Sequence, residues 1–397
     1  MYKKLLSTSI INAATAGLNF FASFITVKLM SLKIFGEFAI FNSILAFGGL
    51  LYAIIPTNYS IFKLQDDNRY KSKLLSFFIL SSIAFSIFVF ITNITGIVNI
   101  DFFTVYFFGI STFFLGYFDI KFQALGKLKQ YFIMLFITAI LKIIFLVLFY
   151  YFKQLNNLTN LLWTVTVSQI MIIIFYLLDD KEDVKFIIKD FKLFKETFLF
   201  IRINFSSFTP YYLNTCLKRL RENLIVLLFG KFMSNETIGL FSVFVKISSF
   251  VFGLSRTMEA FFMNRENIGK YKETFYQKII YFAILLQFIF LLVGIGYFKI
   301  FINKFFFVEI LILSFLVYPH MFFLVARSEM LSKYSNKEVN ISEGTNMLIV
   351  LIGVLLCYIF KITSIYGMLF TYGFATLGLQ LYLITSLKSM KKGNIDI

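Results

Sequence analysis

KLMSLKIFGEFAIFNSI, Lys28 to Ile44, is nearly repeated far downstream as KFMSNETIGLFSVFVKI, Lys231 to Ile247. At an offset of 203 positions Lys28 meets Lys231, Met30 meets Met233 and Ser31 meets Ser234. Gly36 then meets Gly239, Phe38 meets Phe241, Phe41 meets Phe244 and Ile44 meets Ile247, with Ala39/Ser242 and Ile40/Val243 as conservative pairs. Shared Phe and Ile alone would be expected by chance in so apolar a chain. Matched Lys, Met, Ser and Gly in register would not, so the phrase reads as an internal repeat.

What repeats is set by composition. Hydrophobic residues fill 59% of the 397 positions and charged residues only 15%, against about 25% charged in ordinary soluble domains. Apolar runs long enough to cross a hydrocarbon core recur along the whole chain. The reading is an all-α polytopic membrane protein with twelve spans. They lie near 8–30, 35–56, 74–98, 102–120, 131–152 and 161–178, then 208–230, 238–260, 277–299, 306–326, 345–361 and 364–387. The opening MYKKLLSTSIINAATAGLNFFASFITV reads as a retained first span, with no small-residue cleavage site before a soluble domain. The longest connection, 179–196, separates an N-terminal six-helix bundle (1–178) from a C-terminal one (197–397). It reads first as a tether between the two halves, and the apolar residues among its charges also suit a helix lying on the inner membrane surface.

Lys and Arg set the orientation. With the N-terminus inside, the cytoplasmic side collects about 24 of them and the outer side seven, so both termini are placed in the cytoplasm. The net charge of +17 is thereby accounted for by loops, and no nucleic-acid partner is expected. Cys216 and Cys357 both fall inside expected spans, which argues against a disulfide framework or a metal cluster. Each half has an even number of spans, so the two copies of the repeat share one orientation and are related by an axis along the membrane normal. Both copies then sit at the outer turn after their half's first helix. There Gly36 and Gly239 let the chain turn and re-enter closely packed.

The repeat also fixes depth. It sets Thr15 opposite Lys218, Ala16 opposite Arg219, Leu18 opposite Arg221 and Asn19 opposite Glu222, placing this cluster near the centre of the seventh span. A charge there costs about 2.5–3.5 kcal/mol on insertion scales. In one reading Glu222 pairs with Lys218 and Arg219 one turn away and the rest snorkels. In the other, surplus positive charge faces a water-filled cavity and holds an anionic substrate. One carboxylate does not neutralise Lys218, Arg219 and Arg221, and the next helix adds Lys246 and Arg256. Pro210 and Pro319 each remove a backbone donor inside a span and favour a bend. His320, the single histidine, either packs structurally or titrates during a cycle. Asp119, Glu259 and Glu309 read as interfacial anchors, and Lys142 has no evident partner in the sequence. A Walker motif, an HExxH pair, a nucleophile elbow and a large outer loop are all missing, so ATP-driven transport by this chain alone is not expected.

On FGEFAIF (Phe35–Phe41), IGLFSVF (Ile238–Phe244), RLRENLIVLLFGKFMSNETIGLFSVFVKI (Arg219–Ile247) and QALGKLKQYF (Gln123–Phe132), the sequence resembles the polysaccharide branch of the multidrug/oligosaccharidyl-lipid/polysaccharide (MOP) exporter superfamily, the Wzx-type flippases. The resemblance implies two pseudo-symmetric six-helix bundles forming a V around a cationic cavity lined mainly by helices 1, 2, 7 and 8. It implies an oligosaccharide on undecaprenyl diphosphate as cargo, moved across the bacterial cytoplasmic membrane by alternating access for O-antigen, capsule or exopolysaccharide assembly. Lys218, Arg219, Arg221, Lys246 and Arg256 are the candidates for the diphosphate. Glu222 and His320 are the candidates for coupling to a proton or sodium gradient, with no other cofactor or metal. A polysaccharide polymerase and a chain-length regulator are the implied protein partners. The rival readings are a multidrug exporter of the same superfamily, whose cationic cargo these charges would repel, a membrane polymerase or acyltransferase, and a non-transporting scaffold.

Overall fold

A computed structural model describes the backbone of residues 2–55, 60, 64, 70–94, 100–125, 127–152, 157–179, 192–262, 265–303, 306–333 and 336–393. Among these residues all regular structure is helical. Hydrocarbon offers a backbone no hydrogen-bond partner, and a helix satisfies its own donors and acceptors within one segment. The first helices are α1 (Tyr2–Leu29), α2 (Leu32–Gly48), α3 (Tyr70–Ile94), α4 (Phe102–Ala124), α5 (Leu128–Tyr151) and α6 (Leu158–Asp179). They are followed by α7 (Lys192–Phe229), α8 (Asn235–Phe262), α9 (Arg265–Tyr297), α10 (Phe307–Ser314), α11 (Val317–Lys333), α12 (Asn336–Ile359) and α13 (Ile365–Gly393).

Each of the twelve expected spans falls on these elements, and ten helical stretches among the described residues are long and apolar enough to cross a membrane. The other two positions belong to α1 and α7. The described apolar run of α1, Ala14–Leu29, is shorter than a full crossing, and α7 carries the Lys218–Glu222 charges within its 38 residues. Exposed Ile83, Ile87, Phe90, Ile91 and Ile94 on α3 recur at helical spacing, the stripe a lipid-facing helix presents. α7 continues as helix through Pro210. The tenth span instead breaks into α10 and α11 just before Pro319. There Phe315, Leu316 and Tyr318 donate to carbonyls three residues back, a tight turn that accommodates a residue lacking an N–H.

Packing gathers the helices into two units: Met1–Met30 with Ile44–Cys216, and Ser31–Ser43 with Leu217–Ile397. The division therefore falls within α7, while residues 180–191 of the expected linker lie outside the described residues. In the first unit α1 packs on α5, α4 on α3 and α6, and α5 on α6. Its core is aromatic: Tyr117 sits against Phe78 and Phe118, and Tyr176 lies 5.0 Å from Phe122. In the second unit α13 packs on α11 and α12, and α8 on α9 and α11. Phe244 lies 4.6 Å from Phe298 with its ring tilted against it, and Phe298 lies 4.9 Å from Phe306.

The repeated phrase shapes the second unit. Its shared serines are helix caps. Ser31 Oγ accepts the Ile34 amide at 3.2 Å, and Ser234 Oγ accepts the Thr237 amide at 3.2 Å, satisfying donors a helix start leaves open. Its shared glycines lie one turn inside α2 and α8. A Cβ on Gly36 would overlap the Asn235 carbonyl oxygen and stand 2.9 Å from the Gly239 nitrogen. A Cβ on Gly239 would overlap the Leu32 carbonyl oxygen and stand 3.1 Å from the Gly36 nitrogen. The two copies thus cross backbone to backbone, and Asn235 Nδ2 donates to Glu37 Oε1 at 3.3 Å beside the crossing. Smallness here serves close helix approach rather than a turn conformation.

Gly36→Ala and Gly239→Ala should each destabilise the protein by about 1–3 kcal/mol, the usual effect of overpacking. Gly253→Ala and Gly373→Ala, where an added Cβ meets nothing within 4 Å, should be neutral or slightly stabilising in their helices. Thermal melting of the four purified variants checks the contrast.

Candidate functional site: a polar cavity in the C-terminal unit

A cavity of about 430 Å³ lies within the second unit, walled by α2, α7, α8, α11, α12 and α13. That size is ordinary for a ligand pocket. Two walls are the two copies of the repeat. Equivalent positions Phe38/Phe241, Ala39/Ser242, Asn42/Val245 and Ser43/Lys246 all line it. They recur every three to four residues because both helices turn one face inward. The glycine crossing brings these faces together.

The remaining walls follow the same periodicity. α11 contributes His320, Phe323, Leu324 and Arg327; α12 contributes Glu343 and Asn346; α13 contributes Tyr372, Thr376 and Gln380. Lys246 and Arg327 stand against the single carboxylate of Glu343 among the described lining residues, so the wall carries one positive charge in excess with His320 neutral. Lys246 is accessible within the cavity, Arg327 is half-buried, and Glu343 is buried. Arg327 and Glu343 are both engaged in interactions of their own. The His320 ring stacks on Phe252 at 4.1 Å with 21° between planes, making a flat shelf on the wall.

Five buried polar atoms give the cavity its character. Ser242 Oγ, Arg327 Nε, Glu343 Oε2, Asn346 Oδ1 and Gln380 Oε1 are buried and make no hydrogen bond, although Asn346 Nδ2 donates to the Ala375 carbonyl at 2.5 Å and ties α12 to α13. Buried polar atoms are nearly always hydrogen-bonded, and leaving one unmatched costs about 1–3 kcal/mol. Four are oxygens and one is a guanidinium nitrogen, and all five belong to residues that line one space. The arrangement suits a guest rich in hydrogen-bonding groups such as hydroxyls, while Lys246 and Arg327 offer contacts to an anion.

Of the residues singled out in the sequence, Lys246 and His320 line this cavity. Arg219 is half-buried on α7, engaged in an interaction, and off the wall. It lies one turn before Asn223, whose Nδ2 donates to the Arg219 carbonyl at 2.7 Å. Lys218, Arg221 and Glu222 are on α7 and Arg256 is on α8, but their side chains lie outside the described residues. Lys142 is half-buried and has a partner. Glu309 accepts the Tyr366 hydroxyl at 2.8 Å. Sequence reading missed Arg327, Glu343, Asn346 and Gln380. The available signal was their helical spacing with apolar neighbours, His320–Leu324–Arg327 on α11 and Tyr372–Thr376–Gln380 on α13.

No protein-family model matches the sequence, and no curated protein matches it either. Solved structures do. A multidrug-resistance MATE-family transporter of the MOP superfamily in an inward-facing conformation aligns with TM-score 0.61 at 12% identity, covering 98% of this chain and 95% of that one. A MOP-superfamily transporter from Pyrococcus furiosus, described by the reverse polarity of its binding pocket, aligns with TM-score 0.62 at 9% identity over 97% and 95%. A eukaryotic MATE transporter aligns with TM-score 0.52 at 14% identity over 96% and 95%. At such identities the likeness is one of fold. This chain has the all-helical, two-unit membrane fold of the MOP-superfamily transporters.

Proposed function

We propose that this protein is a flippase that moves an undecaprenyl-diphosphate-linked oligosaccharide across the cytoplasmic membrane by alternating access. The observation that carries the reading is the cavity wall, where Lys246 and Arg327 outnumber Glu343 amid amides, hydroxyls and rings. A diphosphate supplies negative charge for the two cations. Each unit pair at 4 Å contributes about 4 kcal/mol at an effective dielectric of 20. Asn223, Asn346 and Gln380 offer donors and acceptors to sugar hydroxyls, and the Phe252–His320 shelf and Tyr372 offer flat apolar faces. Lys218, Arg219, Arg221 and Arg256 extend positive charge along α7 and α8 for the head group's passage. The lipid tail stays in the bilayer.

Coupling to a proton or sodium gradient belongs to the same proposal. Glu222 and His320 are candidate groups, and buried Glu343 on the cavity wall joins them. The break between α10 and α11 is a place where α11, which carries both His320 and Arg327, can shift without unwinding a continuous span. A polysaccharide polymerase and a chain-length regulator would receive and size the product, and both termini would lie in the cytoplasm.

A second reading, a multidrug exporter, draws on the fold shared with MATE transporters. The pocket polarity favours the flippase, because a cationic drug would meet Lys246 and Arg327. For the Pyrococcus furiosus neighbour a reversed pocket polarity suggested a different function; the same logic, polarity rather than fold choosing the cargo, is applied here.

In cells lacking the protein, lipid-linked oligosaccharide should accumulate on the inner face, and wild type should clear it. Lys246→Ala and Arg327→Ala, checked for normal insertion, should each clear it at least about tenfold more slowly, the effect of losing roughly 1.4 kcal/mol. Normal clearance by both variants would remove the cationic wall from the mechanism. No accumulation in an active assembly pathway would hand the case to the exporter reading. A separate measurement concerns Gln380. Replacing an unmatched buried amide with an apolar isostere relieves its burial penalty. Gln380→Met should therefore melt at the same or a higher temperature than wild type while transporting less.

A further inference from the structure

A lone amide stands in the membrane-crossing part of α9. Between Lys278 and Lys299, Gln287 is the only charged or amide residue, and hydrocarbon penalises a polar side chain that finds no partner. The half-buried Gln287 finds two, one on each side of the break in the tenth span. Its Nε2 donates to Ser314 Oγ at 3.1 Å, on the last residue of α10, and its Oε1 accepts the Tyr318 hydroxyl at 2.7 Å, in the first turn of α11. Ser314 Oγ in turn donates to the Leu311 carbonyl at 2.7 Å. The donors thus run one way, from α11 through α9 to α10, and members of such a chain strengthen one another. At the break Phe315, Leu316 and Tyr318 donate to carbonyls three residues back, in poorer geometry than an α-helix provides, and Pro319 brings no N–H at all. α9 packs on both α10 and α11, so it is placed to brace what the backbone braces weakly.

We propose that Gln287 is a positioning residue for the cavity: without lining it, the amide ties both sides of the break together and fixes the rotation of α11, and with it the placing of His320 and Arg327 on the wall. At 3.6 residues per turn, His320 and Arg327 lie about 180–200° round α11 from Tyr318. The side of α11 held by Gln287 is therefore opposite the side turned to the cavity. On the cavity side the His320 ring stacks on Phe252 at 4.1 Å, so α11 is gripped from two directions. Release of Tyr318 leaves only the stack to resist a turn of α11 about its own axis, and a turn carries both wall residues with it. Slower cargo clearance by a released variant rests on the flippase reading; the positioning itself rests on the hydrogen bonds alone.

His320 is the single histidine of the chain, so histidine-selective labelling gives the purified full-length protein in detergent one imidazole to read by NMR. Spectra are taken without cargo, at a pH where the ring is neutral, and each variant is also melted. Tyr318→Phe removes one oxygen, leaves the Gln287 acceptor unmatched, and should lower the melting temperature by about 2–4 °C. Adding Gln287→Met removes the other partner of that bond and should restore most of the loss, since an apolar pair of similar shape is nearly neutral. The His320 signals should nevertheless move and broaden in the double variant as the Phe252 stack loosens. Tyr318→Phe alone carries the same expectation for His320 and serves if the pair does not fold. The control is Gln169→Met in the first unit, where Gln169 Oε1 accepts the Ser111 hydroxyl at 2.7 Å and the Thr112 hydroxyl at 3.3 Å; it should leave the His320 signals in place. Unmoved His320 signals in a folded double variant, or in Tyr318→Phe alone, would overturn the proposal, because the amide would then only pack. A shift of the same size in Gln169→Met would overturn it too. Since no cargo is present, failure of the flippase assay in cells leaves this result standing, and failure here leaves the flippase reading standing.

Discussion

Hydrocarbon tolerates neither a lone charge nor an unmatched polar atom, and the second unit gathers both around one space. Lys246, Arg327 and Glu343 line the same cavity as Ser242, Asn346 and Gln380, and five of these six residues carry a buried polar atom without a hydrogen bond. Nothing in helix packing requires them there, since leucine or methionine would fill the same volume without the penalty. The surrounding structure bears that cost through its apolar contacts. Val339, Leu379, Leu383 and Leu387 form a buried cluster with Phe323 and Ala326 next to the polar wall. Phe241 and Phe244 anchor the adjoining face of α8. The polar site is held in place by an apolar frame that leaves the polar atoms few ways to turn aside.

The helical architecture was legible because the membrane writes a strong signal: runs of apolar residues about twenty long, separated by charge. The same signal hid part of the site. Hydropathy ends a span at its first charge, so Arg327 read as a loop residue and Glu343 as lying just before a span. In the structure α11 runs on to Lys333 and α12 begins at Asn336. Both residues therefore sit on helix, with one side turned inward. Lys246 was legible because it is a charge standing inside the apolar span that follows the seventh. Asn346 and Gln380 carry no charge and left no trace in a reading built on charge. They become visible only when three helices are brought together and the hydrogen bonds are accounted for.

The repeat itself had more to say than its position. Its serines are caps, its glycines are a crossing, and the residues a turn beyond the glycines are cavity wall. These roles follow one another along α2 and α8 in the same order, so a single phrase encodes where the helix starts, where it touches its counterpart, and what it shows to the guest. The copies differ in the last role as well as between the caps and the glycines: among the lining residues Ala39 stands against Ser242, Asn42 against Val245 and Ser43 against Lys246. A duplicated frame has been given two different linings.

The glycine crossing explains why the two glycines stayed the same while residues on either side of them drifted apart. Gly36 meets main-chain atoms of Asn235, and Gly239 meets main-chain atoms of Leu32. When a growing side chain presses on another side chain, a second substitution can make room. When it presses on a carbonyl, no substitution can, because every amino acid brings the same carbonyl. Each glycine is therefore frozen by a part of its counterpart that mutation cannot reach. The two halves of the gene are joined at this point by a constraint that compensation cannot loosen.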